Sequence, residues 1–263
     1  MPDGTLLYRV PLAGAGALCC GSRAVYCACG RDGAVLRLDR ETLLPRSAFA
    51  AGPGICALML RGRRLYALCG EGDGVMMLDA AGGHPLVFAR AGLSPVQMAE
   101  DDAGALVIAG GEGGCVTRLC VRTLEMISQD VMPGPVYGAA AIGGRRYALC
   151  LSEALGSTLI TMDACGMRHV LSLAGLPGAL AHERGGMLLI AAQGGVYAVP
   201  PDGGQIARFC PVPGSVCGAG SRLILGDDCV LLLDAGTGRL WAISRGRAML
   251  VCTDAADAAL LDT

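Results

Sequence analysis

The chain has 263 residues, a formal net charge of −2, 53% apolar but only 4% aromatic side chains, 41 glycines and 14 cysteines. So much glycine disfavours helix interiors and serves tight turns, which excludes a helical bundle. The near-neutral charge, without blocks of one sign, argues against nucleic-acid binding, and no apolar run reaches the roughly 18 residues of a membrane span.

The chain starts Met1-Pro2-Asp3-Gly4, with no basic segment leading into an apolar stretch, so no leader is read and a cytoplasmic location is expected. In that reducing compartment the cysteines are expected to be free. No Cys-x-x-Cys pair exists; the nearest are Cys19-Cys20 and Cys27-x-Cys29. Neither a metal nor a cofactor is expected, because zinc sites want such pairs twice over.

In chain order, Thr5-Leu6-Leu7-Tyr8-Arg9-Val10 has the character of an outer strand ahead of the first repeat. Repeats follow, each opened by a Gly/Pro turn and a small-residue strand A: Gly16-Ala17-Leu18, Gly54-Ile55-Cys56, Pro95-Val96-Gln97, Pro135-Val136-Tyr137, Gly178-Ala179-Leu180 and Ser215-Val216-Cys217. Strand B carries a Tyr-x-x-Cys in three copies, at Tyr26, Tyr66 and Tyr147, with Val107 in the gap. Later copies of B are read at Leu188-Leu189-Ile190-Ala191, Leu223-Ile224-Leu225-Gly226 and Met249-Leu250-Val251-Cys252. Strand C is apolar and ends in Asp39, Asp79, Asp163 or Asp234, with Cys120 in the third copy. A strand D follows, as in Met126-Ile127-Ser128 and Gln205-Ile206-Ala207-Arg208-Phe209. The repeated Asp is expected to cap the C–D turn.

Four strands per 36–43 residues is the pattern of a propeller blade. The expected fold is all-β: one β-propeller over 1–263, of four-stranded antiparallel blades. Seven blades are counted, with six as the alternative, because the stretch around Leu240-Trp241-Ala242-Ile243 has room for one strand only. The ring is expected to close by the N-terminal strand joining the last blade, which leaves no open edge.

Tyr66-Ala67-Leu68-Cys69, Tyr147-Ala148-Leu149-Cys150 and Asp234-Ala235-Gly236-Thr237-Gly238 resemble the YVTN-type propeller repeats. That pattern has a Tyr-Val-Thr-Asn strand, then an apolar strand ending in Asp and Thr-Gly; here Cys replaces the Asn. The resemblance implies the propeller fold and a binding or surface role. Sugar-lactone hydrolases share that fold, and a fold by itself does not assign a function.

No catalytic constellation is read, since neither a Gly-x-Ser-x-Gly elbow nor a His-Glu-x-x-His occurs. Blade geometry puts the B–C and D–A turns on one mouth of the channel. The candidate ligand-binding residues there are Arg31, Asp32, Glu71, Asp73, Glu112, Ser152, Glu153, Gln193, Asp227 and Asp228. The longest B–C connection runs from Leu151 to Ser157, and long loops on rigid scaffolds carry function. The expected function is a non-enzymatic scaffold binding a protein partner or small ligand at that mouth. The alternatives are a lactonase-like hydrolase using His182 with neighbouring acids, or a self-assembling structural component.

Overall fold

A computed structural model describes residues 15–29, 33–153, 156–183, 186–203, 205–218, 220–225, 230–244 and 247–252. Their strands form six sheets of four antiparallel strands, each sheet taken from one continuous stretch of chain. Blade one is β1 (Ala15–Cys20), β2 (Ala24–Cys29), β3 (Ala34–Asp39) and β4 (Pro45–Ala50). Blade two is β5 (Ile55–Arg61), β6 (Arg64–Cys69), β7 (Gly74–Asp79) and β8 (Pro85–Arg90). Blade three is β9 (Gln97–Glu100), β10 (Ala105–Ala109), β11 (Cys115–Cys120) and β12 (Met126–Val131). Blade four is β13 (Val136–Ile142), β14 (Arg145–Leu151), β15 (Ser157–Asp163) and β16 (Gly166–Leu173). Blade five is β17 (Pro177–His182), β18 (Leu188–Ala192), β19 (Gly195–Val199) and β20 (Arg208–Pro211). Blade six is β21 (Arg222–Leu225), β22 (Val230–Asp234), β23 (Arg239–Ser244) and β24 (Arg247–Cys252).

Six blades replace the seven expected. The run read as the seventh strand B, Met249 to Cys252, pairs against β23 as the outer strand of blade six. The run Leu223-Ile224-Leu225-Gly226, read as a strand B, has its first three residues on β21, which opens that blade, and Ser215-Val216-Cys217, read as its strand A, is the connector. The reason is physical. Middle strands of a blade are buried on both faces, so they read as plain apolar runs wherever they lie. Past residue 200 no Tyr-x-x-Cys marks the phase. The expected donation of Thr5–Val10 to the last blade lies outside the described residues. None of the six described sheets draws on a donated strand.

First strands of neighbouring blades meet along the axis, from β1 with β5 to β17 with β21. The second strands of blades three and five are sealed: β10 and β18 are buried throughout. Fourth strands form the rim, where Leu86, Phe88, Ile127 and Val131 are exposed. The three tyrosines turn out to join blades. Tyr26 donates its hydroxyl to the carbonyl of Ala80 at 2.8 Å, Tyr66 to that of Val121 at 2.6 Å and Tyr147 to that of Pro201 at 2.7 Å. Each acceptor follows the third strand of the next blade. Val107, at the same place in blade three, has no hydroxyl to offer.

The strand-end carboxylates cap their turns as the sequence implies. Asp39 accepts from the N–H groups of Glu41 and Thr42, Asp79 from Gly82, and Asp163 from Cys165. Arg46 beside Asp39, with the Thr42 N–H, holds that carboxyl well below the usual carboxylate range. Cys120 keeps the same turn with a thiol. Leu124 donates to its carbonyl as Leu43 does to that of Asp39, and both leucines have positive φ, 59° and 54°. The Thr123 hydroxyl and the N–H groups of Arg122 and Thr123 lower the Cys120 thiol from its ordinary value. Asp234 departs from the pattern because it ends β22, a second strand. Its carboxylate accepts from Gly236 and, at 3.0 Å, from Val216 in the connector.

Cys69, Cys150 and Cys217 are packed in the core. Burial pushes their thiols up, to about 11 for Cys69 and Cys217 and about 12 for Cys150, from an ordinary 9.0. Above pH 9 the unfolded chain sheds these protons while the folded chain keeps them. This contribution to stability is therefore full below about pH 9 and is lost as pH rises toward 11–12. Urea midpoints measured from pH 8 to 11 are expected to fall steadily above 9, less steeply in Cys150→Ala. A midpoint that stays flat to pH 11 would contradict this account.

Candidate functional site

Backbone bonds show that the B–C turns and the D–A connectors share one face. Gly70 donates to the carbonyl of Gly54, Ala91 to that of Asp73, Leu151 to that of Pro135 and Gln193 to that of Leu176, at 2.8–2.9 Å. Each pair joins the loop between second and third strands to the connector entering or leaving the blade. The expected mouth is therefore a continuous surface of tied turns.

On this face Glu71, Glu112, Glu153 and Gln193 are exposed. Asp73 is spent on structure: its Oδ1 accepts from the Ser94 N–H at 2.9 Å and its backbone adopts φ 55°, a left-handed conformation that Asp tolerates. Ser152 is half-buried and its hydroxyl accepts from the Gly156 N–H at 3.0 Å, closing its own loop. Arg31, Asp32, Asp227 and Asp228 lie outside the described residues. The four exposed residues belong to blades two, three, four and five, and no hydrogen bond or ion pair links them to one another.

The blade-four loop has a further property. It walls a concavity of about 920 Å³ between the connector 133–135 and the end of β16 with Ala174. Pro133, Pro135, Leu151 and Leu173 give it apolar walls; Ser152, Glu153, Thr158 and Ser172 supply hydrogen-bonding groups. One wall is the five-residue B–C loop of blade four, as long as that of blade three and pinned by Ser152, while the Ser157 hydroxyl donates to the Gly175 carbonyl at 2.8 Å. Ser172 also contacts His169, with Nε2 to Oγ at 2.9 Å. The sequence does not single out Ser172, because a serine on an outer strand carries no distinctive spacing.

Acids and histidines elsewhere are dispersed. Glu100 pairs with Arg61 at 2.6 Å, Asp101 with Arg118 at 2.5 Å, and Asp102 accepts from the Gly143 N–H at 2.6 Å. The cluster at 100–102 thus secures the blade-three turn to blades two and four. His182 sits at the far end of β17, half-buried, and the adjacent Glu183 is held by Arg208 at 2.8 Å. Among the described residues no group of three His, Cys, Asp or Glu side chains converges in a geometry that could hold a metal. No helix of the described residues is long and apolar enough to cross a membrane.

Six four-stranded antiparallel blades around an axis make this chain a β-propeller. No family model matches it, and no curated protein matches it in sequence. Solved structures do resemble it. A catalytically inactive virginiamycin B lyase from Staphylococcus aureus with quinupristin aligns at TM-score 0.71 and 9% identity, over 92% of this chain and 85% of that one. The hydrazine synthase of Kuenenia stuttgartiensis aligns at 0.69 and 13%, over 93% and 80%. U3-55K aligns at 0.68 and 12%, over 93% and 82%. At such identities the likeness establishes the propeller fold alone, and a lyase and a synthase already share that fold without sharing a reaction.

Proposed function

We propose that the chain is a YVTN-type propeller that serves as a binding scaffold, taking a polar small ligand or a partner's loop on the face of the B–C turns. The carrying observation is the 920 Å³ concavity on blade four, with apolar walls and the hydrogen-bonding groups of Ser152, Glu153, Thr158 and Ser172. Ligand pockets combine such walls with a few placed polar groups. Glu153, together with exposed Glu71 and Glu112 on the same face, favours a neutral or cationic ligand. The buried thiols of Cys69, Cys150 and Cys217, none of them in a disulfide, suit a reducing compartment such as the cytoplasm.

The reading is tested with a fragment library of amides, amines and alcohols, screened by ligand-observed NMR. Ser172→Trp fills the concavity from an outer strand without touching the core. Amide or amine fragments are expected to bind the parent chain and to lose at least tenfold in affinity in the variant. Fragments that bind both proteins equally would move the site elsewhere and refute the assignment.

A further inference from the structure

Among the described residues, the channel wall carries a cation with no anion to match it. Arg222 is the first residue of β21, the innermost strand of blade six. Its Nη1 donates to the carbonyl of Ser221 at 2.9 Å, and its Nη2 reaches the carbonyl of Cys56, on β5 of blade two, at 2.6 Å. A guanidinium has five N–H donors. No carboxylate pairs with this one among the described residues; their ion pairs all use other arginines. Burial works against its charge, lowering its pKa. A charge taken from water is costly unless it is paired.

Cys56 does not supply the missing anion. Its thiol donates to the Pro95 carbonyl at 3.1 Å, and burial pushes it up, so the thiol stays protonated. On the innermost strands around it stand half-buried apolar side chains, Leu58 and Met59 on β5, Met98 on β9, Leu223 and Leu225 on β21, each packed on one side against the core between blades. The other side of the channel is closed. Gln97 Nε2 donates across to the Leu180 carbonyl at 2.6 Å, and β13 and β17 are largely sealed. One unpaired cation in an apolar wall selects a ligand with one negative charge and a hydrocarbon body.

We propose that the channel binds a small amphipathic monocarboxylate, its carboxylate paired with the Arg222 guanidinium and its apolar body lying along Met59, Met98 and Leu223. Bidentate guanidinium–carboxylate pairing supplies direction, and each methylene taken from water adds to the affinity. This site is separate from the blade-four concavity and stands or falls without it.

The test is isothermal titration with sodium octanoate, sodium acetate and 1-octanol, alongside NMR of protein labelled at the methionine methyls. Octanoate is expected to bind one to one, at least tenfold tighter than either acetate or octanol. The Met59 and Met98 methyl signals are expected to shift on its addition. Arg222→Gln is expected to weaken octanoate at least tenfold and leave octanol unchanged; should that variant not fold, the ligand series and the methyl shifts on the parent chain decide. Octanol binding as tightly as octanoate would overturn the proposal. So would shifts confined to Met126 and Met167, which are exposed on the rim.

Discussion

Replacing Gly138 with leucine is expected to destabilise the propeller by about 3 kcal/mol or more, because it wedges apart blades four and five. Gly138 lies in β13 where the two inner strands touch. A Cβ there would stand 2.6 Å from both Cβ and the backbone nitrogen of Leu180, and 2.9 Å from Gln97 Oε1. Backbone cannot yield as the tip of a side chain can. The intrusion also strikes the hydrogen bond from Gln97 to the Leu180 carbonyl, which crosses the channel. For a chain of this size the loss corresponds to a fall in melting temperature of roughly 6–12 °C. Gly218→Ala is the control. Among the described residues it has no atom within 4 Å of the added Cβ, and it has no positive φ, so its effect is expected to stay within about 0.5 kcal/mol. Equal losses in the two variants would show that blade contact at Gly138 is unimportant.

The second large effect is expected from the inter-blade hydroxyls. Tyr66→Phe keeps the ring and its packing but leaves the Val121 carbonyl without its donor. Tyr66 and Val121 are 1% and 8% exposed, so water does not readily replace the lost bond. Leaving such an acceptor unpaired costs about 1–3 kcal/mol. Tyr147→Phe and Tyr26→Phe are expected to cost similar amounts. Their acceptors, Pro201 and Ala80, lie in different blades, so the three losses should add within about 0.5 kcal/mol. Urea unfolding is the measurement, with a lowered midpoint and an unchanged slope. Tyr197→Phe is the comparison, because its half-buried ring packs on Phe209 at 4.6 Å and its hydroxyl meets no such carbonyl among the described residues. A Tyr66→Phe midpoint matching that of Tyr197→Phe would remove the stapling role.

The same tyrosines show how far the primary structure could be read. Tyr-x-x-Cys located the second strand of blades one, two and four, because a repeated unit in a ring faces the same neighbours each time. Its hydroxyl partner was not legible, since that carbonyl lies 54 or 55 residues further along the chain. The closing Asp was legible as a cap because the N–H groups it accepts from lie within its own turn. Asp234 shows where that logic stops. It caps a turn as expected, but the turn lies at the end of β22 and reaches back to Val216, since blade six begins at Arg222.

The candidate site divides along the same line. Position on the mouth face followed from strand order, and the long loop at Leu151–Ser157 was evident from spacing. Which polar residues are spent on the scaffold was not: Asp73 and Ser152 hold backbone groups, whereas Glu71, Glu112, Glu153 and Gln193 are exposed. Ser172 and Arg222 carry no signal in the sequence because neither sits in a repeat marker.

By itself, then, the amino-acid sequence determined the all-β architecture, the four-stranded unit and its turn chemistry, all of which depend on interactions within about forty residues. Only the tertiary structure decided the number of blades, the role of the tyrosine hydroxyls and the meeting of Arg222 with Cys56 across 166 residues of chain. The physical reason is one of range. Apolar alternation, glycine turns and Asp caps are local energies written in adjacent residues. Blade count and channel contents depend on how twisted sheets pack around an axis, which no local pattern records.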